Sequence, residues 1–347
     1  MVEYRKQAKK KAELLLHNTL YVPSSVRLPF PYERSTAGPS TGTKSLTLQF
    51  NTSQVKLQVT SNPNEVFSLK QATHDFCILK NNNLFLSHVK ILPVWFHAPN
   101  QIFLNLEDRC IYNCAFCALA QKIDGHLHKK YTKERFVHVI TQGITKHQLQ
   151  SVALTSGIYP SNTKIIEKMT YIIQTIKQRY PEVSMGVEPC IFTVDELISL
   201  KNAGADELKL NIQIPDKSLF TDICPDFIYD TILYLLQEAV KLFGKGKVTS
   251  NIIFGLGETD KGIIECIEQL SQIGVVPTLR KIQVHEYNKN KLEERISTPL
   301  PSVSVEQIMK LAKKQKEILN RYGLTTQSFK TMCHACGCCD LVPFKDI

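Results

Sequence analysis

The chain has 347 residues, 43% of them hydrophobic and 21% charged, the balance of an ordinary globular protein with room for one large domain or two smaller ones, which excludes overall disorder. Lys and Arg number 42 against 32 Asp and Glu, a formal charge of +10 that raises the question of phosphate contacts. The eleven cysteines fit a reducing compartment as metal ligands better than as a disulfide framework, and Leu14-Leu15-Leu16 is too short for a signal segment or membrane span, so a cytoplasmic protein is expected.

The first predicted element is a helix from about residue 4 to 17, with Lys6, Lys9 and Lys10 at helical spacing. No aromatic residues interleave with these lysines, so the stretch reads as a solvated face or a docking face for an acidic protein rather than an RNA site. Residues 29–43, rich in Pro, Ser, Gly and Thr, read as loop. Alternating segments at 45–50, 54–60, 77–80 and 84–89 predict a small antiparallel sheet, which makes 1–97 an N-terminal region of one helix and a small β unit.

From about residue 100, short apolar strands (101–106, 151–155, 183–188, 206–212, 247–254, 278–284) alternate with amphipathic helices (132–146, 163–179, 193–203, 226–243, 260–273, 304–322). That is the pattern of successive βα units on a parallel sheet. Thr193 with Glu196 and Ser304 with Gln307 are spaced as capping boxes, and Gly204 and Gly323 stand where helix ends need a left-handed residue. The expected class is α/β, a partial (βα)6 barrel over 98–290 followed by a helix and a cysteine-rich tail over 291–347.

Cys110, Cys114 and Cys117 follow the first of these strands in the run Arg109-Cys110-Ile111-Tyr112-Asn113-Cys114-Ala115-Phe116-Cys117. Loops after the strands of such a barrel gather at one rim, where chemistry is done. Three thiolates on one loop can hold three irons of a [4Fe–4S] cube and leave the fourth without a protein ligand, open to a substrate or cofactor. The alternative is a structural zinc completed by His126 or His128, although such sites usually take four ligands in two knuckles and this loop has one.

This C-x3-C-x2-C spacing, with Phe116 before the last cysteine, resembles the signature of the radical S-adenosylmethionine (SAM) superfamily, and the resemblance covers roughly residues 100–290. It implies an open (βα)6 barrel and a cluster on Cys110, Cys114 and Cys117 whose free iron chelates the amino and carboxylate groups of SAM. An electron from the cluster would cleave the sulfonium to a 5′-deoxyadenosyl radical that takes hydrogen from unactivated carbon. Thr155, Ser156 and Gly157 end the second strand, where the family holds the methionyl amino group; a plain turn is the other reading. Glu188 ends the third strand, where a carboxylate meets either a ribose or ammonium group or a neighbouring lysine.

Asn211 puts an amide near the end of the fourth strand. Residues 250–259 resemble the G-x-I-x-G-x-x-E element of the biotin synthase and lipoyl synthase branch, with Asn251 in place of the first glycine, which implies SAM contacts from Ile253, Gly255 and Glu258. Arg280, on the sixth strand, is placed for a substrate carboxylate or a rim salt bridge.

From residue 183 to 259 the chain looks most like biotin synthase, and Cys190 matches one ligand of that enzyme's second cluster. The positions matching two other ligands are Ala153 and Thr249, so biotin synthase itself is not expected. Cys333, Cys336, Cys338 and Cys339 instead lie within seven residues. Thiolates so close repel unless a metal neutralises them, which predicts an auxiliary iron–sulfur cluster on some of them or, less often, zinc. Cys77, Cys224 and Cys266 stand alone and read as small buried residues, Cys224 also being placed to line the cavity.

The expected function is a radical SAM enzyme of the biotin synthase and lipoyl synthase-like branch, serving cofactor biosynthesis or sulfur insertion. Its substrate would be a small molecule or carrier-bound, with a ferredoxin- or flavodoxin-like reducing partner and neither nucleic acid nor membrane. The alternatives are a radical SAM enzyme that methylates or rearranges a protein or RNA, and a zinc-stabilised binding protein without catalysis.

Overall fold

The computed structural model describes residues 2–34, 42–117, 119, 131–296 and 299–347. His126 and His128 lie outside the described residues. Helix α1 (Val2–His17) buries Ala8, Ala12, Leu14 and Leu15 along one face. Seven strands follow: β1 (Thr19–Tyr21), β2 (Glu33–Arg34), β3 (Lys44–Phe50), β4 (Ser53–Thr60), β5 (Phe67–Gln71), β6 (Phe76–Lys80) and β7 (Asn83–Ile91). Their order is β2-β3-β4-β1-β5-β6-β7, and β3 also pairs with β7, so the sheet closes on itself.

β1 runs parallel to both β4 and β5, so the expected antiparallel sheet is a closed, mixed one. A three-residue strand carries too little alternation to be read from sequence, and its pairing covers two edges that would otherwise be open. Three of the lysines of α1 have partners within the chain. Lys10 donates to the Phe85 carbonyl at 2.7 Å, Lys9 lies 3.4 Å from Glu306, and fully buried Lys11 meets Asp346 at 2.6 Å.

The second unit alternates β8 (Ile102–Asn105), α2 (Lys133–His147), β9 (Ser151–Thr155), α3 (Asn162–Arg179), β10 (Ser184–Glu188), α4 (Val194–Ala203), β11 (Glu207–Lys209), α5 (Lys217–Ile223), α6 (Tyr229–Phe243), β12 (Val248–Phe254), α7 (Asp260–Ile273) and β13 (Val276–Lys281). Its six strands are all parallel, in the order β13-β12-β11-β10-β9-β8. The helices show why they form. In α3, Ser161 caps the first turn and Ile165, Ile166, Met169, Ile172, Ile173 and Ile176 recur at i+3 and i+4 to make one buried face. Thr193 and Glu196 form the full capping box. Ser304 caps Gln307, but the Gln307 side chain donates to Asp260 at 2.8 Å instead of reaching back.

Residues in register on a parallel ladder share a face. Val152, Leu154, Val187, Leu208 and Ile252 make one apolar face, merged with the helix cores. The other face carries Phe103, Ala153 and Gly186, then Thr155 and Glu188, then Lys209 and Thr249, then Asn251 and Thr278, then Ile253 and Arg280. Polar residues in fully buried β12 mark this as the inner face of the partial barrel.

Helices α8 (Glu286–Ile296) and α9 (Val305–Arg321) and the short α10 (Met332–Cys336) complete the chain. The boundary expected at residue 290 falls inside α8. The last residues cross the N-terminal ends of the inner strands. The Glu207 carboxylate accepts from the backbone of Lys330 and Thr331 at 2.9 Å each and from Thr331 Oγ1 at 2.6 Å. Gln101 clasps the Met332 backbone at 2.7 and 2.8 Å, and His334 Nε2 lies 3.1 Å from Thr249 Oγ1 and 3.2 Å from Thr278 Oγ1.

Gly186 permits this approach, since a Cβ there would sit 2.0 Å from Thr331 Oγ1. The tail is thus the floor of the barrel, at the end opposite the cysteine loop. Ala153 and Thr249, which stand where biotin synthase has cluster ligands, face Met332 and His334 of this floor. Among the described residues no helix is long and apolar enough to cross a membrane.

Candidate active site

The segment after β8 is fastened to the extension of β9. Leu106 N donates to Thr155 O at 2.8 Å, Gly157 N to Glu107 O at 2.8 Å, and Ile111 N to Ile158 O at 2.9 Å. A Cβ on Gly157 would lie 2.3 Å from the Arg109 carbonyl oxygen, so only glycine allows the two backbones this close. Arg109 is locked in turn by two bonds to the Glu107 carboxylate, 2.8 and 2.7 Å, and its guanidinium lies 3.8 Å from the Tyr159 ring centroid. Thr155, Ser156 and Gly157 therefore flank the cysteine loop, with Ser156 Oγ donating to Gly157 O at 2.6 Å.

The far side of the loop is held by elements that sequence reasoning missed. Ala115 N donates to Ile223 O at the end of α5, and Asn113 N to the Asp226 carboxylate at 2.6 Å. Buried Asn288 of α8 donates to Phe116 O at 3.2 Å, and Lys291 of α8 pairs with the Asn113 side chain. A polar residue buried in an otherwise hydrophilic helix leaves no periodic trace in a sequence.

These thiols share one electrostatic neighbourhood. Burial pushes Cys110 up, against the Ile158 and Tyr112 backbone groups hydrogen-bonded to it. A hydrogen bond with Cys224, then burial, pushes Cys114 well up. Cys190 is raised well above its usual value by burial and then by Cys110, Cys114 and Cys117. Among the described residues no three His, Cys, Asp or Glu side chains converge on one point. The fit to an iron–sulfur cluster therefore rests on the donor set, crowded desolvated thiols with backbone hydrogen bonds to one sulfur, which irons would neutralise.

Below the loop the inner face carries a connected polar chain. Glu188 accepts from Asn211 Nδ2 at 2.7 Å and faces Lys209 Nζ, a neighbouring lysine, at 3.2 Å. Asn211 is held at its other end by Asn251 N, 3.0 Å from its Oδ1. Arg280 does not present a free guanidinium. It grips Asp340 of the tail with bonds of 3.0 and 2.6 Å and reaches Cys333 Sγ at 3.4 Å. Glu207, Lys209 and Asn211 alternate on one face of β11 and its extension, a period-two polar signal that could have exposed Lys209 in the sequence.

Two inner-face amides are left over. Among the described residues Asn105 Oδ1 and Asn251 Oδ1 are buried without hydrogen-bond partners, a cost that donors on a bound ligand would relieve. Ile253 is buried beside Arg280 in the ladder. The Glu258 carboxylate accepts from Gly255 N and from Leu256 N at 2.9 Å, so it closes its own turn, in which Gly255 and Gly257 take positive φ. A cavity of about 840 Å³ lies on the outer flank, lined by Asp216, Tyr229, Glu258 and Cys266 among others. The polar chain under the cysteine loop, not this outer hollow, carries the converging chemistry.

The tail cysteines do not present as one set. Cys336 is pushed down to about 7, chiefly by its hydrogen bond with Cys338, with Lys56 and Lys345 adding to the effect. Cys338 is pushed well up by the same bond and by burial, and burial raises Cys339 to about 12. Cys338 O is tied to Lys56 N of β4 at 2.9 Å. Cys333 Sγ faces the barrel interior, 3.2 Å from Lys209 Nζ.

Residues 104–270 match the sequence profile of the Radical SAM superfamily. A biotin synthase of Saccharopolyspora erythraea is 28% identical over 174 residues, 48% of this chain and 46% of that protein. A lipoyl synthase of Buchnera aphidicola subsp. Schizaphis graminum is 23% identical over 224 residues, 60% of this chain and 69% of that protein. The chain spans about half the length of the biotin synthases it matches. The X-ray structure of the FeFe-hydrogenase maturase HydG from Carboxydothermus hydrogenoformans superimposes with a TM-score of 0.52 at 16% identity, over 63% of this chain and 52% of that one, a likeness of fold.

Proposed function

We propose, from the premise that this chain belongs to the radical SAM superfamily and is one of its enzymes, that it inserts sulfur into, or otherwise builds, a small-molecule or carrier-bound cofactor precursor. The observation that carries this reading is a second group of cysteines built into the floor of the same barrel whose rim holds the C-x3-C-x2-C loop. When bound, a [4Fe–4S] cluster on Cys110, Cys114 and Cys117 supplies the electron that cleaves SAM to a 5′-deoxyadenosyl radical.

The chain's own residues do the rest. Gly157 and Asn288 fix the loop's two flanks and so hold the backbone that carries the thiols. Thr155 and Ser156 stand beside that loop as SAM contacts, and Asn105 and Asn251 offer amide oxygens, unpartnered among the described residues, to donors on SAM or substrate. The tail closes the lower end of the barrel to water, which protects a radical from side reactions. Cys336, Cys338 and Cys339 are the ligands proposed for an auxiliary cluster, and a low-potential protein of the ferredoxin or flavodoxin kind is the proposed reductant.

The test uses reduced, iron- and sulfide-reconstituted protein under anaerobic conditions with SAM. Wild type is expected to release 5′-deoxyadenosine and Cys114→Ala to release none. Equal release by both, or colourless protein loaded with stoichiometric zinc, would contradict the reading.

A further inference from the structure

Cys333 stands apart from the cysteines around it. Its Sγ receives Lys209 Nζ at 3.2 Å from β11 and Arg280 Nη2 at 3.4 Å from β13. Both donors are cationic, Lys209 buried and Arg280 half-buried, with side-chain exposures of 1% and 13%. Two cationic donors converging on one sulfur form a geometry that would hold negative charge on a further sulfur bonded to it. Between those strands lies β12, whose Asn251 is in register with Thr278 and one step from the Lys209–Thr249 pair. Asn251 is 6% exposed and, among the described residues, its Oδ1 has no partner, so a buried acceptor stands on the strand between the two donors, open to a donor group of a ligand. Lys209 also touches Glu188, the last residue of β10, so a single ammonium group separates the Cys333 sulfur from the rim carboxylate.

We propose that Cys333 is the sulfur-transfer cysteine of this barrel, carrying a sulfane sulfur as a persulfide whose terminal anion rests between Lys209 and Arg280, with Asn251 Oδ1 left to accept from a donor group of the substrate. The inference deepens the sulfur-insertion reading above and rests on it. The sulfane sulfur comes from a donor of the cysteine desulfurase kind. In the transfer step a substrate carbon radical bonds to the outer sulfur and the S–S bond breaks homolytically, leaving the product as a carbon-bound thiolate and Cys333 as a thiyl radical. One electron from the same low-potential donor that serves SAM cleavage returns the thiyl to thiolate. Lys209 and Arg280 act as positioning residues, holding the anionic sulfur where it forms.

The experiment incubates reconstituted full-length protein with a cysteine desulfurase and cysteine, removes both, counts cyanide-labile sulfur per chain and locates it by peptide mass. Wild type is expected to gain one sulfane sulfur on the Cys333 peptide. Cys333→Ser, nearly isosteric and able to accept the same two hydrogen bonds, is expected to lose that sulfur while keeping the full iron content, which reports an intact floor. Lys209→Met should lose it and Lys209→Arg should restore it, a rescue that a merely structural lysine would not give. Sulfane sulfur on other cysteines only, undiminished labelling of Cys333→Ser, or loss of iron from that variant would overturn the proposal. Release of 5′-deoxyadenosine by wild type is scored separately, so failure of the radical reading is seen on its own.

Discussion

Lys209 links two groups that lie far apart in the chain, Glu188 at the rim and Cys333 on the floor. Burial alone would lower its pKa, yet Cys333 and Glu188 together raise it, so the ammonium stays charged inside the barrel. At the loop the balance runs the other way. Burial lifts Cys110, and the bond to Cys224 with burial lifts Cys114 further. Metal binding needs thiolates and releases their protons, so iron uptake during reconstitution should rise steadily as pH goes from about 7 to about 9. Iron uptake that is flat across that range, measured per chain after desalting, would contradict this. The three cysteines themselves were legible because their spacing is local. The partners of Arg280 were not, since Asp340 lies 60 residues away and nothing in a strand's alternation encodes a contact at that separation.

The elements meet at the last residues of the chain. Lys11 of α1 and Asp346 are both fully buried and 2.6 Å apart, and Asp346 also accepts from Ser53 Oγ and Val342 N at 2.8 Å each. This network joins the first helix, the closed N-terminal sheet and the floor. Lys11→Met would leave a buried carboxylate without its counter-charge, and the expected loss is about 3 to 5 kcal/mol in urea unfolding. The double variant Lys11→Met, Asp346→Leu should recover most of it; a single variant within about 1 kcal/mol of wild type would show that the pair does not hold the units together. Elements with a long periodic signature, such as α3 and α7, were readable nearly to the residue. Strand β11 was not: Leu210, Asn211 and Ile212 leave the ladder after Lys209, although their pattern is that of a strand. Pro277 sits within β13 because β13 is an edge strand, where a missing N–H costs no ladder bond.

At the scale of the whole molecule, Lys9, Lys10 and Lys11 of α1 find partners within the chain. What the architecture concentrates is sulfur, one group on the rim loop and one in the floor, with Glu188, Lys209 and Arg280 between them. The order of βα units was visible in the sequence because each buries its own apolar face; the docking of the tail beneath them was not, because it depends on Glu207 and Gln101 meeting backbone more than 120 residues away. The central claim is that Cys110, Cys114 and Cys117 hold an iron cube with one iron left for SAM. The most direct measurement is low-temperature electron paramagnetic resonance of the reduced, reconstituted protein before and after SAM is added. A cluster signal that changes on adding SAM, and that is absent from Cys114→Ala, is the predicted result; a signal indifferent to SAM, or one that survives loss of Cys114 unchanged, would contradict it.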